Sequence, residues 1–292
     1  MTQHSRPAFA VPADGIDCHM HVFGPVSDYP PAARRSYTPH PAVLEDYLAM
    51  LDTIGLTRNV FVQASAYGAD NACMLAAMRR RGALCRGIAV IDDHTTETEL
   101  DEMHALGVRG VRLNVATFGL TDTDALRHQM QSAIARVAHR GWHIQIFAKL
   151  PMLVALREDI RSAPCPVVID HMGLPEGPLG LGQPGFSTIC ELLTLGHVWV
   201  KVSGTYRVIM TESDFSAATP FARALITANP ERCVWGTDWP HIGHHGQRLA
   251  EGPPLAEFRT LDDGQLLTLL ADAAGPHLAK ILVQNPSTLY QF

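Results

Sequence analysis

Eight short, near-continuously apolar runs, each followed by a helical stretch, constrain this 292-residue chain more than any other feature. The runs predict strands at Gly15–His19, Asn59–Ala64, Arg86–Ile91, Arg109–Asn114, Trp142–Phe147, Pro166–Asp170, Val198–Val202 and Cys233–Gly236. Strands apolar on both faces are typical of parallel sheets covered on two sides. Helical patterns separate them at Pro41–Ile54, Asn71–Arg81, Thr96–Leu106, Asp124–Arg140, Pro151–Arg161, Phe186–Leu195 and Glu212–Ala228, with a last one at Leu261–Leu282. Asp70 and Ser213 stand where N-caps belong, and Pro151 suits a first helical turn. Gly55, Gly82, Gly107, Gly141 and Gly196 follow helical stretches, where a left-handed cap favours a residue without Cβ. Eight βα units in strict alternation predict an α/β fold of the (β/α)8 barrel kind, spanning residues 1–292 with 1–12 as an N-terminal extension. A doubly wound sheet is the runner-up, but the Gly-x-Gly-x-x-Gly turn and the phosphate-loop lysine motif are both absent.

Composition narrows the function classes. Hydrophobic residues make up 47% and charged residues 18%, enough to bury a core and to exclude overall disorder. Lys+Arg number 23 and Asp+Glu 29, a net charge of −6 without a basic block, which argues against nucleic-acid or anionic-membrane binding. No run approaches the ~18 apolar residues of a membrane span, and Met1–Ala10 has no apolar signal core. The six cysteines are scattered, with no Cys-x-x-Cys pair, as expected of reduced thiols in a cytoplasmic protein. Nothing in the sequence fixes an oligomeric state.

In such a barrel, catalytic side chains sit at the C-terminal ends of strands. The first strand ends in Asp17-Cys18-His19-Met20-His21, and alternation puts Asp17, His19 and His21 on one face. The sixth ends in Asp170-His171-Met172-Gly173 and the eighth in Gly236-Thr237-Asp238-Trp239-Pro240-His241. A lone strand-end histidine is more often structural than catalytic. Three separate strand ends delivering His19, His21, His171 and Asp238 to one mouth favour a site.

These motifs resemble the amidohydrolase superfamily. Asp17–Pro25, Gln63-Ala64-Ser65, Arg86–Val90, Ile169–Gly173 and Trp235–His241 are similar to the branch of 2-pyrone-4,6-dicarboxylate hydrolase and its lactonase relatives, over nearly the whole chain. The resemblance implies an amidohydrolase-like barrel that opens a lactone, with a place in aromatic-compound catabolism. It implies Asp238 as the base that takes a proton from the attacking water, and His19, His21 and His171 as the groups that polarise the carbonyl. General-base help of this kind contributes about 10²–10⁴-fold. It also implies no obligatory metal, the alternative being one zinc or manganese ion on His19, His21, His171 and Asp238. A two-metal site is not expected: the fourth strand ends Arg112-Leu113-Asn114, and His143 lies at the wrong end of the fifth.

Substrate contacts carried over by the resemblance are Tyr37, Ser65, Arg112 and Arg207. Three further positions depart from it: Phe147 replaces a tyrosine, Val115–Phe118 lacks a second arginine, and Leu174 stands where an arginine is expected. Charge-assisted contacts are worth roughly 1.5–3 kcal/mol each, so a lactone with one acidic group, or a smaller one, is the expected substrate. Bland readings stand beside each candidate: Arg112 could pair with a carboxylate inside the barrel, Tyr37 could cover the mouth, and Arg207 could be a surface residue. Lys201 shares a strand face with Trp199 and Ser203 and needs a partner or a function if it faces the lumen. His241 is near enough to Asp238 to orient it or touch substrate, while His244 and His245 read as a solvated loop. Arg79–Arg81 suit a helix C-terminus. Other expectations from the same scaffold are a metal-dependent decarboxylase or amide hydrolase, and a non-catalytic small-molecule binder, for which the full His/His/His/Asp set has no purpose.

Overall fold

The structure, a computed structural model, describes residues 4–117, 119, 122–209, 215–243 and 255–292; Phe118, Glu212, Ser213, His244 and His245 lie outside them. Eight parallel strands run in chain order: β1 (Ile16–Met20), β2 (Arg58–Val62), β3 (Cys85–Ala89), β4 (Val108–Asn114), β5 (His143–Phe147), β6 (Val167–Ile169), β7 (Val198–Lys201) and β8 (Cys233–Val234). β8 and β1 close the ring through single hydrogen bonds instead of a regular ladder. Cys18 N–H donates to Trp235 O at 2.9 Å, Asp238 N–H to His19 O at 2.8 Å and His21 N–H to Trp239 O at 2.9 Å. Gly236 permits this approach, because a Cβ there would lie 2.4 Å from the His19 nitrogen and 2.7 Å from its Cβ.

Helices cover the strands: α1 (Leu44–Ile54), α2 (Ala72–Arg81), α3 (Glu97–Leu106), α4 (Thr123–Val137), α5 (Leu150–Ala155), α6 (Arg157–Ser162), α7 (Phe186–Leu193), α8 (Thr219–Ala228), α9 (Asp263–Ala274) and α10 (Asn285–Tyr290). Gly55 and Gly107 end α1 and α3 in left-handed conformation, with φ 78° and 104°. Asn71 takes the N-cap position of α2, and the Asp70 carboxylate accepts the Ala72 N–H at 3.0 Å. Two expected helices are divided. Leu156, at φ −91° and ψ 6°, separates α5 from α6. Gly275-Pro276 ends α9, and a π-helical stretch, Lys280–Gln284, leads into α10.

Inside the ring, Ile16, Cys18, Val60, Val168, Trp199 and Val234 pack on Leu289 and Tyr290, so α10 plugs the floor. The N-terminal residues are fastened to the start of α9, where Ser5 N–H donates to Asp262 Oδ1 at 2.9 Å. Among the described residues no single helix is long and apolar enough to cross a membrane.

Candidate active site

The first strand corrects one expectation. Its register against β2 shifts between Asp17 and Met20, and such a bulge breaks the two-residue alternation. Asp17 therefore does not share a face with His19 and His21. Its Oδ2 accepts from Tyr47 OH on α1 (3.0 Å) and from Thr237 Oγ1 (2.6 Å), and its Oδ1 from the N–H groups of His19 and Thr237 (3.0 and 2.9 Å). Asp17 clamps β1 to the segment after β8. Burial pushes its carboxyl up to about 6, against those hydrogen bonds.

The remaining strand-end residues converge. Asp238 Oδ1 lies 3.6 Å from His19 Nε2 and 3.5 Å from His21 Nε2, and Oδ2 lies 3.6 Å from His171 Nε2. All four side chains are buried. The two carboxylate oxygens differ. Oδ2 accepts from Tyr206 OH at 2.5 Å and Arg207 Nε at 2.6 Å, whereas Oδ1 has no hydrogen-bond partner among the described residues. Nε2 of His19 and of His171 is likewise buried without one. His171, Asp238 and His241 are non-glycine residues with positive φ, at 48°, 64° and 64°. Backbone strain of this kind is retained where the surroundings hold it, typically at functional sites.

Each imidazole is oriented from behind. His21 Nδ1 meets the Val62 carbonyl at 2.8 Å, so it carries the proton and Nε2 presents a lone pair. His19 Nδ1 accepts from Lys201 Nζ at 3.1 Å, which leaves the proton on Nε2, aimed at Asp238. His171 Nδ1 meets Ser203 Oγ at 3.0 Å. A Cβ on Gly204 would stand 2.9 Å from that same nitrogen.

Beneath them Asp170 gathers cations. Its Oδ2 accepts from Arg112 Nε and Gln145 Nε2, each at 3.0 Å, and Lys201 Nζ lies 3.5 Å from Oδ1. Lys201 also donates to Cys18 O (2.9 Å) and Gln145 Oε1 (2.8 Å). Burial alone would raise both carboxyls. Lys201, with Arg112, holds Asp170, and Arg207 holds Asp238, well below the usual range. Burial lowers the imidazoles: His19 well below 6.5, with Lys201 adding to the effect, His171 to about 4, and His21 in the same direction. Neutral histidines thus face an ionised Asp238. With Arg112, Lys201 and Arg207 charged against Asp170 and Asp238, three cations minus two carboxylates leave one positive charge for an anionic ligand.

Tyr37, Ser65, Arg112 and Arg207 line one cavity together with His21 and Phe147. Ser65 Oγ donates to Tyr37 OH at 3.4 Å, and the guanidiniums of Arg112 and Arg207 lie 4.9 and 5.6 Å from the Phe147 ring centroid. Arg112 combines both of its sequence readings, pairing with Asp170 and lining the cavity. Two expected substrate contacts do not line it. Lys201 is wholly buried in the network below, because its three protons are taken up there. His241 turns its ring to Asp263, with Nε2 3.1 Å from the carboxylate, and only its backbone N–H reaches Asp238, donating to O at 3.0 Å. Asp170 and Tyr206 were missed in the sequence; each adjoins a flagged residue, His171 or Arg207, and that adjacency was the available signal.

The donor set accommodates a single cation. Ligand atoms of His19, His21 and Asp238 lie within 4.8 Å of one another, as do those of His19, Asp170 and His171. Bonds of ~2.0–2.1 Å to nitrogen are compatible with the 3.5–3.6 Å separations around Asp238. His21 Nε2 and the free Oδ1 of Asp238 fit a metal as they stand. His19 fits only after surrendering the Nε2 proton that Lys201 fixes.

Imidazoles from the first and sixth strands facing a carboxylate after the eighth, at the C-terminal mouth of a parallel barrel, define a hydrolase barrel of the amidohydrolase class. The chain belongs to the amidohydrolase family, whose model matches residues 16–292. It is 34% identical to a 2-pyrone-4,6-dicarboxylate hydrolase of Comamonas testosteroni, over 98% of this chain and 93% of that one. It is 36% identical to a 4-sulfomuconolactone hydrolase of Rhizobium radiobacter, over 97% and 92%. A crystal structure of a probable 2-pyrone-4,6-dicarboxylic acid hydrolase from Acinetobacter baumannii, with citric acid bound, superimposes with a TM-score of 0.80 at 28% identity, covering 96% of this chain and 100% of that one.

Proposed function

We propose that the protein is a lactone hydrolase acting on a small ring ester with one acidic group. The observation that carries this reading is the convergence of three imidazole Nε2 atoms on the Asp238 carboxylate, those of His19 and His21 on its free Oδ1 and that of His171 on Oδ2. Water attacking the ring carbonyl gives its proton to that oxygen, while Oδ2 stays anchored by Tyr206 and Arg207. The carbonyl electron pair moves onto its oxygen, where His19 Nε2–H donates to the forming oxyanion. Collapse breaks the ring C–O bond, and the departing oxygen takes the proton back from Asp238. Arg112 and Arg207 take the substrate's acid group in the cavity they share with Tyr37 and Ser65. The single surplus positive charge suits a monoanion, as does leucine at position 174. The named lactone hydrolases among the relatives support the same reaction type.

A divalent ion held by His21 and Asp238, joined by His19 once its Nε2 proton is lost, would add Lewis-acid polarisation of the carbonyl. The Lys201–His19 hydrogen bond supports a reaction in which no metal is obligatory. Turnover of a panel of carboxylated lactones, measured with and without a chelator, tests both points. Chelator-resistant hydrolysis of monoacidic lactones is expected; absence of turnover on every lactone sinks the reading, and activity restored only by added zinc or manganese moves the polarising role to the ion.

A further inference from the structure

Next to the catalytic cavity a second one of about 760 Å³ opens on the side of β5 to β8. The two share Phe147, Arg207 and Ile242, so a ring held at Arg207 beside Phe147 has a side that faces into the larger space. Its walls are largely apolar: Leu174, Pro175, Val208 and Ile209 join Phe147 and Ile242. These walls are fixed from behind. Val208 and Ile209 are buried, and Leu174 is held at φ 53° on the turn that carries His171. The Arg259 guanidinium at this cavity is already engaged, donating to Tyr206 O at 2.9 Å and lying 5.2 Å from the Tyr206 ring centroid. The cavity beside His21 measures only about 10 Å³, so a lactone ring reaches into the larger space; a small monoacidic ring fills only part of it, whereas cavities of about 300–1,000 Å³ enclose ligands of drug size. Wet apolar walls gain free energy only by covering apolar surface.

We infer that the substrate carries an apolar arm, alkyl or aryl, on its acidic lactone ring, and that the arm lies along Phe147, Leu174 and Ile209. This rests on the proposed lactone hydrolysis and adds the substituent that selects among lactones. The test is kcat/KM for ring-matched carboxylated lactones bearing hydrogen, propyl, hexyl or phenyl at one carbon, in wild type, Leu174→Arg and Ala217→Trp. Ala217 is an exposed residue lining the outer part of the cavity. Wild type is expected to gain about fourfold per methylene buried. In both variants the gain disappears, and in Ala217→Trp the unsubstituted lactone keeps its wild-type rate. Turnover of the unsubstituted lactone with no gain from any arm makes the cavity a solvent vestibule and overturns the inference. Should no lactone in the panel be hydrolysed, the reaction reading fails, and calorimetry on the ring-opened hydroxy acids with the same arms decides the second point separately. Affinity that rises with the arm in wild type but not in the variants upholds the apolar subsite; arm-independent affinity, or no binding, overturns it.

Discussion

The mouth and the floor of this barrel both bury histidine, yet only one of them is built for chemistry. At the floor His143 has both ring nitrogens buried without a hydrogen bond among the described residues, and its ring stands edge-on to Tyr290, 5.4 Å between centroids. A Cβ on Gly110 would come within 2.7 Å of that ring. Burial, with the Lys201 charge adding to it, pulls His143 down to about 3. At the mouth the unpartnered Nε2 atoms of His19 and His171 both face the Asp238 carboxylate, whose Oδ1 is itself unpartnered among the described residues. An isolated orphaned atom is a local penalty of order 1–3 kcal/mol. Several orphaned atoms converging on one point describe a place for a ligand. Burial and a depressed pKa are common to both ends; convergence is not.

The largest expected effect breaks the mouth. Asp238→Asn keeps the shape, removes proton acceptance, and lowers kcat on a carboxylated lactone by about 10²–10⁴-fold, with product affinity by calorimetry nearly unchanged. Most of the wild-type rate surviving would remove Asp238 from the role of base. A smaller effect comes from the layer between the two ends. Lys201→Met releases the His19 tautomer and is expected to cost on the order of 10–100-fold in kcat, as orienting partners of functional histidines commonly do, with KM little changed. The imidazole proton resonances of His19 would report the loss of a fixed Nε2–H; an unaltered NMR signature with normal kcat would make Lys201 purely structural. The smallest effect on turnover belongs to the floor, where His143→Leu leaves kcat at the wild-type level. There the readout is acid stability. His143 is depressed in the folded protein to about 3 from 6.5, so the unfolded chain binds its proton first. Its contribution is complete above pH 6.5 and is lost as pH falls toward 3. The denaturation midpoint of His143→Leu should therefore decline less over that window than the wild-type midpoint; parallel curves would show that His143 is not buried as described.

Most of the barrel was legible because its strands are buried on both faces and its helices end at glycines. The strand-end rule then singled out His19, His21, His171 and Asp238 without reference to coordinates. What escaped was set by contacts distant in the chain. Asp17 left its expected face because a bulge interrupts the alternation on which that expectation rested. Strand β8 stops at Val234, not Gly236, since the following residues bond singly to β1 instead of continuing a ladder. Asp170 gives no local sign that Arg112, Gln145 and Lys201 from three other strands will surround it. The outward turn of His241 depends on Asp263 in a helix that begins 22 residues later. Period and propensity are local quantities, and each of these outcomes is a tertiary choice among partners.

The seam sealed at Gly236 unites the first and last staves, and that has a bearing on biosynthesis. His19 and His21 leave the ribosome more than two hundred residues before Asp238. A nascent chain therefore holds its imidazoles idle until the final strand arrives to complete the circle. On the proposed reaction, competence for hydrolysis waits for that last strand, and chains cut ahead of residue 233, which lack Asp238, are expected to be inactive.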